Sequence, residues 1–348
     1  MIHIAMIGVA HPHADHWARA WHMHTEAELA GVWDADPERA AKWAEQFGVR
    51  RYETLEELLG DPAIDAVGIC SENSRHAEYT VAAAAAGKDI LCEKPTAVTL
   101  EDCDRMIQAV EQAGVRFMQA FPMRLDPVNT RIKKMLEEHE IGTVTTFRKR
   151  HGIGWAATGE LPEKYRWFTH LQEAGGGAFL DEGIHAADFL IWMFGKPVSV
   201  TARIAEHGRN VPVDDNGIAI VEFADGIVGS LHSSWLFEAA SVTTEIFGTE
   251  GTIMQQANDC ASTAVNGENN FPLQVYSRKS GMKGWQNPRI PINFMQIHEK
   301  VASCFADCLI SGDPFPSTLY NGRDALELIL GAYRSAREGR TICFQEVE

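Results

Sequence analysis

Nowhere in the 348-residue chain does an apolar run approach the roughly 20 residues that span a bilayer, so no membrane partner is expected. Positive charge is scarce: 31 Lys and Arg stand against 48 Asp and Glu, a net charge of −17. Neutralising a phosphate backbone needs a basic face, and that excludes nucleic acid as the expected partner. An anionic cofactor is not excluded, because its binding rests on local backbone amides rather than net charge. The seven cysteines (Cys70, Cys92, Cys103, Cys260, Cys304, Cys308 and Cys343) form no CxxC pair and no regular spacing. This usage fits reduced thiols, and a cytoplasmic protein is expected. Ile2–Ile7 reads as a buried strand, which leaves no room for a signal peptide. No repeat, low-complexity tract or linker breaks the chain. What remains is an ordinary globular composition, 45% hydrophobic and 23% charged, at a length that implies about two domains.

The first 120 or so residues alternate strand and helix signals, the pattern of a parallel sheet with helices on both faces. Strands are expected at Ile2–Ile7, Leu29–Trp33, Ala63–Cys70, Asp89–Cys92 and Val115–Ala120. Helices are expected at Asp15–His24, from Asp36-Pro37 to Phe47, at Arg75–Ala86 and at Leu100–Ala113, with Gly48, Gly87 and Gly114 at their ends. After a helical stretch at Asn129–Glu138 the punctuation changes. Gly217–Phe223 and Ile227–Trp235 flank Ala224-Asp225-Gly226, a strong hairpin signal, and Thr243–Phe247 and Thr252–Gln255 flank a second turn. Residues 258–270 read as a surface loop, and helices close the chain near Met295–Leu309 and Asn321–Arg337. The fold class is therefore α/β. Residues 1–122 form an N-terminal Rossmann-type parallel sheet, and 123–348 an α+β domain with a large, mostly antiparallel open sheet.

The dinucleotide fingerprint is degraded. Gly8-Val9-Ala10-His11-Pro12-His13 occupies the place of GxGxxG, and only Gly8 keeps its glycine. Ala10 is small enough for close backbone approach, whereas His13 alters the helix–strand packing. Asp34, directly after the second strand, is placed to hydrogen-bond both ribose hydroxyls and to repel a 2′-phosphate, so NAD is favoured over NADP, with Arg39 close by in sequence. His11, His13 and His16 admit three readings: a solvated helix start, a metal site with Asp15, or an imidazole that replaces a glycine amide on the phosphates. Pro12 and the following helix are expected to scatter the rings, and no metal is expected.

Two further motifs carry chemistry. Glu93-Lys94-Pro95 ends a strand and offers an ammonium at the mouth of the sheet. Asp181-Glu182-Gly183-Ile184-His185 sets a carboxylate and an imidazole at i and i+4, on one face of a predicted helix. Lysine, aspartate and histidine together move a proton on and off a carbinol oxygen while a cofactor takes the hydride. Each has a plainer reading: a surface lysine, a helix-start carboxylate, a buried structural histidine. Asp188 extends the second motif, yet hydride chemistry with a lysine needs no metal there. Tyr165, Arg166, Trp167 and His170, with His151 and Trp155, are candidate substrate contacts, although Trp167 and Phe168 equally suit packing.

With these residues assembled, the chain resembles the glucose–fructose oxidoreductase / inositol dehydrogenase (Gfo/Idh/MocA-type) family. The likeness runs over Ile4–Gly8, Asp34, Asn73–His76, Glu93-Lys94-Pro95, Gly175-Gly176-Gly177, Asp181–His185, Gly248 and Gly251. It implies NAD or NADP in the first domain, and a sheet-based second domain used for assembly into homodimers or homotetramers. It implies catalytic positions for Lys94, Asp181 and His185. The cofactor is expected against Gly8, Ala10, His11, His13, Asp34, Ser71, Asn73, His76, Glu93, Lys94 and Arg124. The substrate, a carbohydrate or polyol, is expected against Lys94, His151, Tyr165, Arg166, Trp167, Asp181 and His185. Two rivals stay open: an NAD-dependent enzyme with no net redox, and a non-catalytic sensor that kept the fold.

Overall fold

The structure, a computed structural model, describes residues 1–154, 156, 161, 163–207, 211–237, 242–256, 272–279, 284–290 and 297–344. The chain divides into two compact units. The first is Met1–Pro122 with Pro162–Gly175 and Met295–Leu326; the second is Met123–Leu161, Gly176–Phe294 and Glu327–Glu348. The two returning segments of the first unit are absent from a single division at residue 122.

In the first unit, β1 (Ile2–Ile7), β2 (Ala27–Trp33), β3 (Arg50–Arg51), β4 (Ala66–Ile69), β5 (Asp89–Cys92) and β6 (Phe117–Gln119) pair in the order β3-β2-β1-β4-β5-β6, all parallel. The order reverses between β1 and β4, and ligands of open parallel sheets bind outside the strand ends at such a point. Ile4 to Ile7 and all of β4 are buried, as a sheet covered on both faces requires. The helices start and stop where the local chemistry dictates. The Asp36 carboxylate accepts the amides of Glu38 and Arg39, Pro37 opens α2 (Pro37–Phe47), and Gly48 closes it at φ 67°. Thr99 caps the next long helix, Leu100–Ala113, which Gly114 ends. On α1 (Ala14–Met23), Trp17 and Trp21 are fully buried, and the Trp21 indole donates to the Ala302 carbonyl of the returning helix Ile297–Ser311.

Among the described residues the second unit has nine strands. They are β7 (Val144–Gly152), β8 (Pro197–Ala205), β9 (Asn216–Phe223), β10 (Val228–Ser234), β11 (Val242–Gly248), β12 (Gly251–Gln256), β13 (Leu273–Ser277), β14 (Trp285–Gln286) and β15 (Ile342–Cys343). Their order is β14-β13-β12-β11-β7-β10-β9-β8-β15, antiparallel except for the β10–β7 pair. The Ala224-Asp225-Gly226 turn sets φ to 59° and 76° at its last two residues, the handedness that matches strand twist, and joins β9 to β10. The loop read at 258–270 lies outside the described residues, as does Trp155. Among the described residues no helix is long and apolar enough to cross a membrane.

Candidate active site

The strand ends of the first unit gather the cofactor-type residues. Gly8, at φ +75°, lies so close to Ser71 after β4 that an added Cβ would stand 2.5 Å from the Ser71 Cβ. That contact explains why this glycine alone survives in the fingerprint. After β2, the buried Asp34 carboxylate accepts the Val9 amide at 2.7 Å and the Asp36 amide at 2.8 Å. The first turn of α1 carries no side-chain cap. Ser71 is buried and its hydroxyl donates to the Glu72 carbonyl.

The histidine-bearing turn is compact rather than scattered. The His11 and His13 ring centroids are 4.3 Å apart, so Pro12 does not separate them; His16 lies further off, 6.4 Å from His13. His13 Nδ1 stands 3.1 Å from a carboxylate oxygen of buried Glu93, and its ring stacks on His298 at 3.5 Å. Burial, reinforced by His13, holds both His11 and His298 well below the ordinary imidazole range. Burial likewise raises the Glu93 carboxyl. His298 had no sequence signal, since it arrives on a helix some 280 residues downstream in the chain.

Lys94 is only 3% exposed, against the usual surface fate of a lysine, and its amide donates to the Glu93 carboxylate at 3.0 Å. The bond that follows, Lys94–Pro95, is cis. Asn73 is buried with its amide nitrogen on the Ala174 carbonyl, while its side-chain oxygen has no hydrogen-bond partner among the described residues. His76 is fully buried between the Pro95 carbonyl at 2.7 Å and the Ser71 carbonyl at 3.3 Å, so it braces two strand ends from beneath. The Trp167 indole donates to the Ala10 carbonyl and stacks on Phe168, which in turn meets His11. Trp167 thus lies on the fingerprint turn. Arg166 is exposed and pairs with Glu163, and half-buried Tyr165 lies under the Lys164 ammonium.

In the second unit the Asp181–His185 motif is two helices, not one: α3 (Ala178–Asp181) ends at Asp181, and α4 (Gly183–Phe194) begins after Glu182. Asp214 sets the start of α3 by accepting the amides of Gly177 and Phe179, and Tyr333 donates to the same carboxylate at 2.7 Å. The glycine run is explained by this close approach. A Cβ on Gly177 would fall 1.9 Å from the Asp214 carbonyl oxygen, and one on Gly176 would fall 2.7 Å from the Tyr333 hydroxyl. Asp181 accepts the Trp235 indole N–H at 3.0 Å. The buried His185 ring lies 5.1 Å from His151, whose Nε2 is 3.2 Å from a Glu182 carboxylate oxygen. Trp235, Asp214 and Tyr333 escape sequence reasoning because they lie far along the chain and only the fold brings them to the motif. Arg124 belongs to this unit too, and its guanidinium holds the buried Asp188 carboxylate by bonds of 2.8–3.1 Å. That pairing commits Asp188 to Arg124 rather than to a cation beside His185.

Known proteins match this arrangement. A family described as oxidoreductase, NAD-binding Rossmann fold (GFO/IDH/MocA), matches residues 2–121, and the GFO/IDH/MocA C-terminal domain matches residues 129–254. The chain belongs to the GFO/IDH/MocA oxidoreductase family. Within it, the 1,5-anhydro-D-fructose reductase of Ensifer adhaerens is 32% identical over 237 residues, 66% of this chain and 68% of that one. The myo-inositol 2-dehydrogenase of Thermotoga maritima is 27% identical over 93% of both chains. A levoglucosan dehydrogenase solved with NADH superposes with a TM-score of 0.85 at 25% identity, over 99% of this chain and 100% of that one. As a GFO/IDH/MocA member, the protein is an oxidoreductase with an NAD-binding Rossmann unit.

Proposed function

We propose that this oxidoreductase transfers a hydride between NAD, in preference to NADP, and a secondary hydroxyl or ketone of a sugar, cyclitol or derivative. The observation that carries the reading is Lys94, a lysine buried just past the carboxyl end of β5, an interior parallel strand, and tied at its amide to Glu93. The relatives named above for anhydrofructose, levoglucosan and myo-inositol support the substrate class.

The residues present fit a dinucleotide. Gly8 admits close backbone approach, the α1 amides carry no side-chain cap for a pyrophosphate to displace, and Asp34 offers a carboxylate for a ribose. Asn73 holds a buried oxygen, without a partner among the described residues, that can accept a ligand N–H or O–H. When bound, NAD supplies the acceptor or donor of the hydride. His185, as a neutral imidazole, removes the proton from the reacting hydroxyl, and as an imidazolium returns it. Lys94 donates a hydrogen bond to that oxygen and stabilises the negative charge that develops on it. Asp181, steadied by Trp235, orients His185 or the substrate hydroxyls. His151, backed by Glu182, is the strongest of the further substrate candidates, because it shares the surroundings of His185.

The exposed apolar side chains Ile218, Ile220 and Val228, at 43%, 50% and 41% exposure, support assembly into a homodimer or homotetramer through the nine-stranded sheet. Light scattering on the purified chain reads that directly. The function itself is tested by absorbance in the reduced-nicotinamide band, with NAD or NADP and a panel of sugars, inositols and sugar acids. NADH formation with one substrate group, lost in His185→Ala, is expected. Silence across the panel by a protein that still binds NAD would overturn the redox reading in favour of non-redox catalysis or a sensor.

A further inference from the structure

We propose that His11, His13 and Glu93 form a binding site for a divalent transition-metal ion, with Zn2+ the best match to their donor chemistry. Each of the three offers one ligand atom, and all three atoms lie within 4.8 Å of one another. One separation, 3.1 Å from His13 Nδ1 to Glu93 Oε2, is close to the edge of a zinc tetrahedron, about 3.3 Å for bonds of about 2.0–2.1 Å. Two imidazoles and one carboxylate are a borderline-soft set that suits Zn2+ over Mg2+ or Ca2+, which prefer oxygen alone. Three protein ligands also leave a fourth position open, the pattern of reactive rather than purely structural zinc sites.

The surroundings hold these atoms in place. Glu93 gives its other oxygen, Oε1, to the Lys94 amide at 3.0 Å, so Oε2 is the one turned toward His13. The His13 ring is clamped flat against His298 at 3.5 Å. Outer partners of this kind orient first ligands in metal sites. His11 and Glu93 are 3% and 1% exposed and the His13 side chain 16%, so what solvent access the trio keeps lies mainly on the His13 side. Two features oppose the ion. Nδ1 of His11 accepts the His13 amide at 3.2 Å, a long bond that coordination through that nitrogen would replace. The Lys94 ammonium, near enough to act electrostatically on His11, repels a second cation. The Glu93 carboxylate offsets that repulsion only in part, and the remaining positive charge favours an anionic oxygen as the fourth ligand. Nothing in this proposal depends on the dehydrogenase reading.

Co2+ makes the site visible, since tetrahedral nitrogen–oxygen coordination gives it visible absorption bands. The full chain, stripped with a chelator, is titrated with Co2+ and then back-titrated with Zn2+. Saturation at one equivalent with tetrahedral bands that Zn2+ abolishes is expected. His13→Ala and Glu93→Gln should each weaken that binding at least tenfold, and His22→Ala, an exposed histidine on α1, should leave it intact. NAD binding is titrated separately on the chelator-stripped wild-type chain, so the cofactor reading is tested without the metal and independently of these variants. If Glu93→Gln does not fold by circular dichroism, His11→Gln and His13→Gln take its place. No tetrahedral bands in the folded wild-type chain, or bands of equal strength in the His13 variant, would overturn the proposal, because the chain's 14 histidines offer other weak Co2+ ligands.

Discussion

Arg39 grips Asp34 at both carboxylate oxygens, with Nε to Oδ2 at 2.8 Å and Nη2 to Oδ1 at 2.7 Å, and Nη2 also reaches Glu72 at 2.8 Å. Burial works against the guanidinium charge, but the bonds to Asp34 and Glu72 outweigh it and raise its pKa. The residue that repels a 2′-phosphate is thus coupled to one that attracts it. Asp34→Ala removes the ribose acceptor and releases Arg39. Hydrogen bonds to charged groups contribute roughly 1.5–3 kcal/mol each, so NAD affinity should fall about tenfold to hundredfold. NADP affinity should fall less, or rise. Calorimetric titration of both cofactors checks this, and an equal loss for the two would refute the coupling.

Gly177→Ala should destabilise the second unit. Its Cβ would lie 1.9 Å from the Asp214 carbonyl oxygen, which is backbone and cannot rotate away. Overpacking of this kind costs about 1–3 kcal/mol or more. Gly60→Ala is the control: nothing stands within 4 Å of its Cβ, and it ends the short helix Leu55–Gly60. The control should be neutral or slightly stabilising, and urea midpoints for both variants report the difference.

The first unit was legible because its signals are local. Period, caps and glycines set the expected strands and helices within three residues of where they stand, as at Pro37 and Gly48, while the two-residue β3 and the short helix Leu55–Gly60 were not expected. The second unit hid its central strand. β7 carries Arg148, Lys149, Arg150 and His151, a polar run with no apolar alternation, yet Lys149 and His151 are wholly buried. Lys149 is satisfied by the Thr244 hydroxyl at 3.0 Å and by the face of Phe189, partners that only the fold supplies. Asp181 and His185 were visible as a motif, but the separate short helix that ends at Asp181 was not, because its start is set by Asp214 from another segment. His298 against His13 was invisible for the same reason.

Lys94→Ala should cost turnover far more than cofactor affinity. A single donor aimed at a developing oxyanion contributes roughly 10²–10³ in rate. NAD binding should stay within a few-fold, since the Glu93–Lys94 contact in hand is made by the backbone amide, which alanine keeps. Steady-state kinetics beside NAD titration separates the two effects. Near-normal turnover would remove Lys94 from the proposed role.

Acid should unfold the protein through its buried histidines. Burial lowers His11, His76 and His298, all fully enclosed, and half-buried His232 follows the same direction. Their unfolded value is about 6.5, so just below that pH the unfolded chain binds more protons than the folded one. Stability therefore rises with pH through this window. It is fully present above about 6.5 and is lost as pH falls toward the depressed folded values. The raised carboxyls of Glu93, Asp188 and Asp214 act in the opposite sense, because the folded state takes up their protons first as pH falls. Their contribution enters from lower pH and softens the loss there. His76→Gln isolates one histidine: it can lower stability at every pH, but it should flatten the slope between pH 7 and 5. Urea unfolding at several pH values measures that slope, and an unchanged slope in the variant would show that His76 is not among the groups that must be charged on acid unfolding.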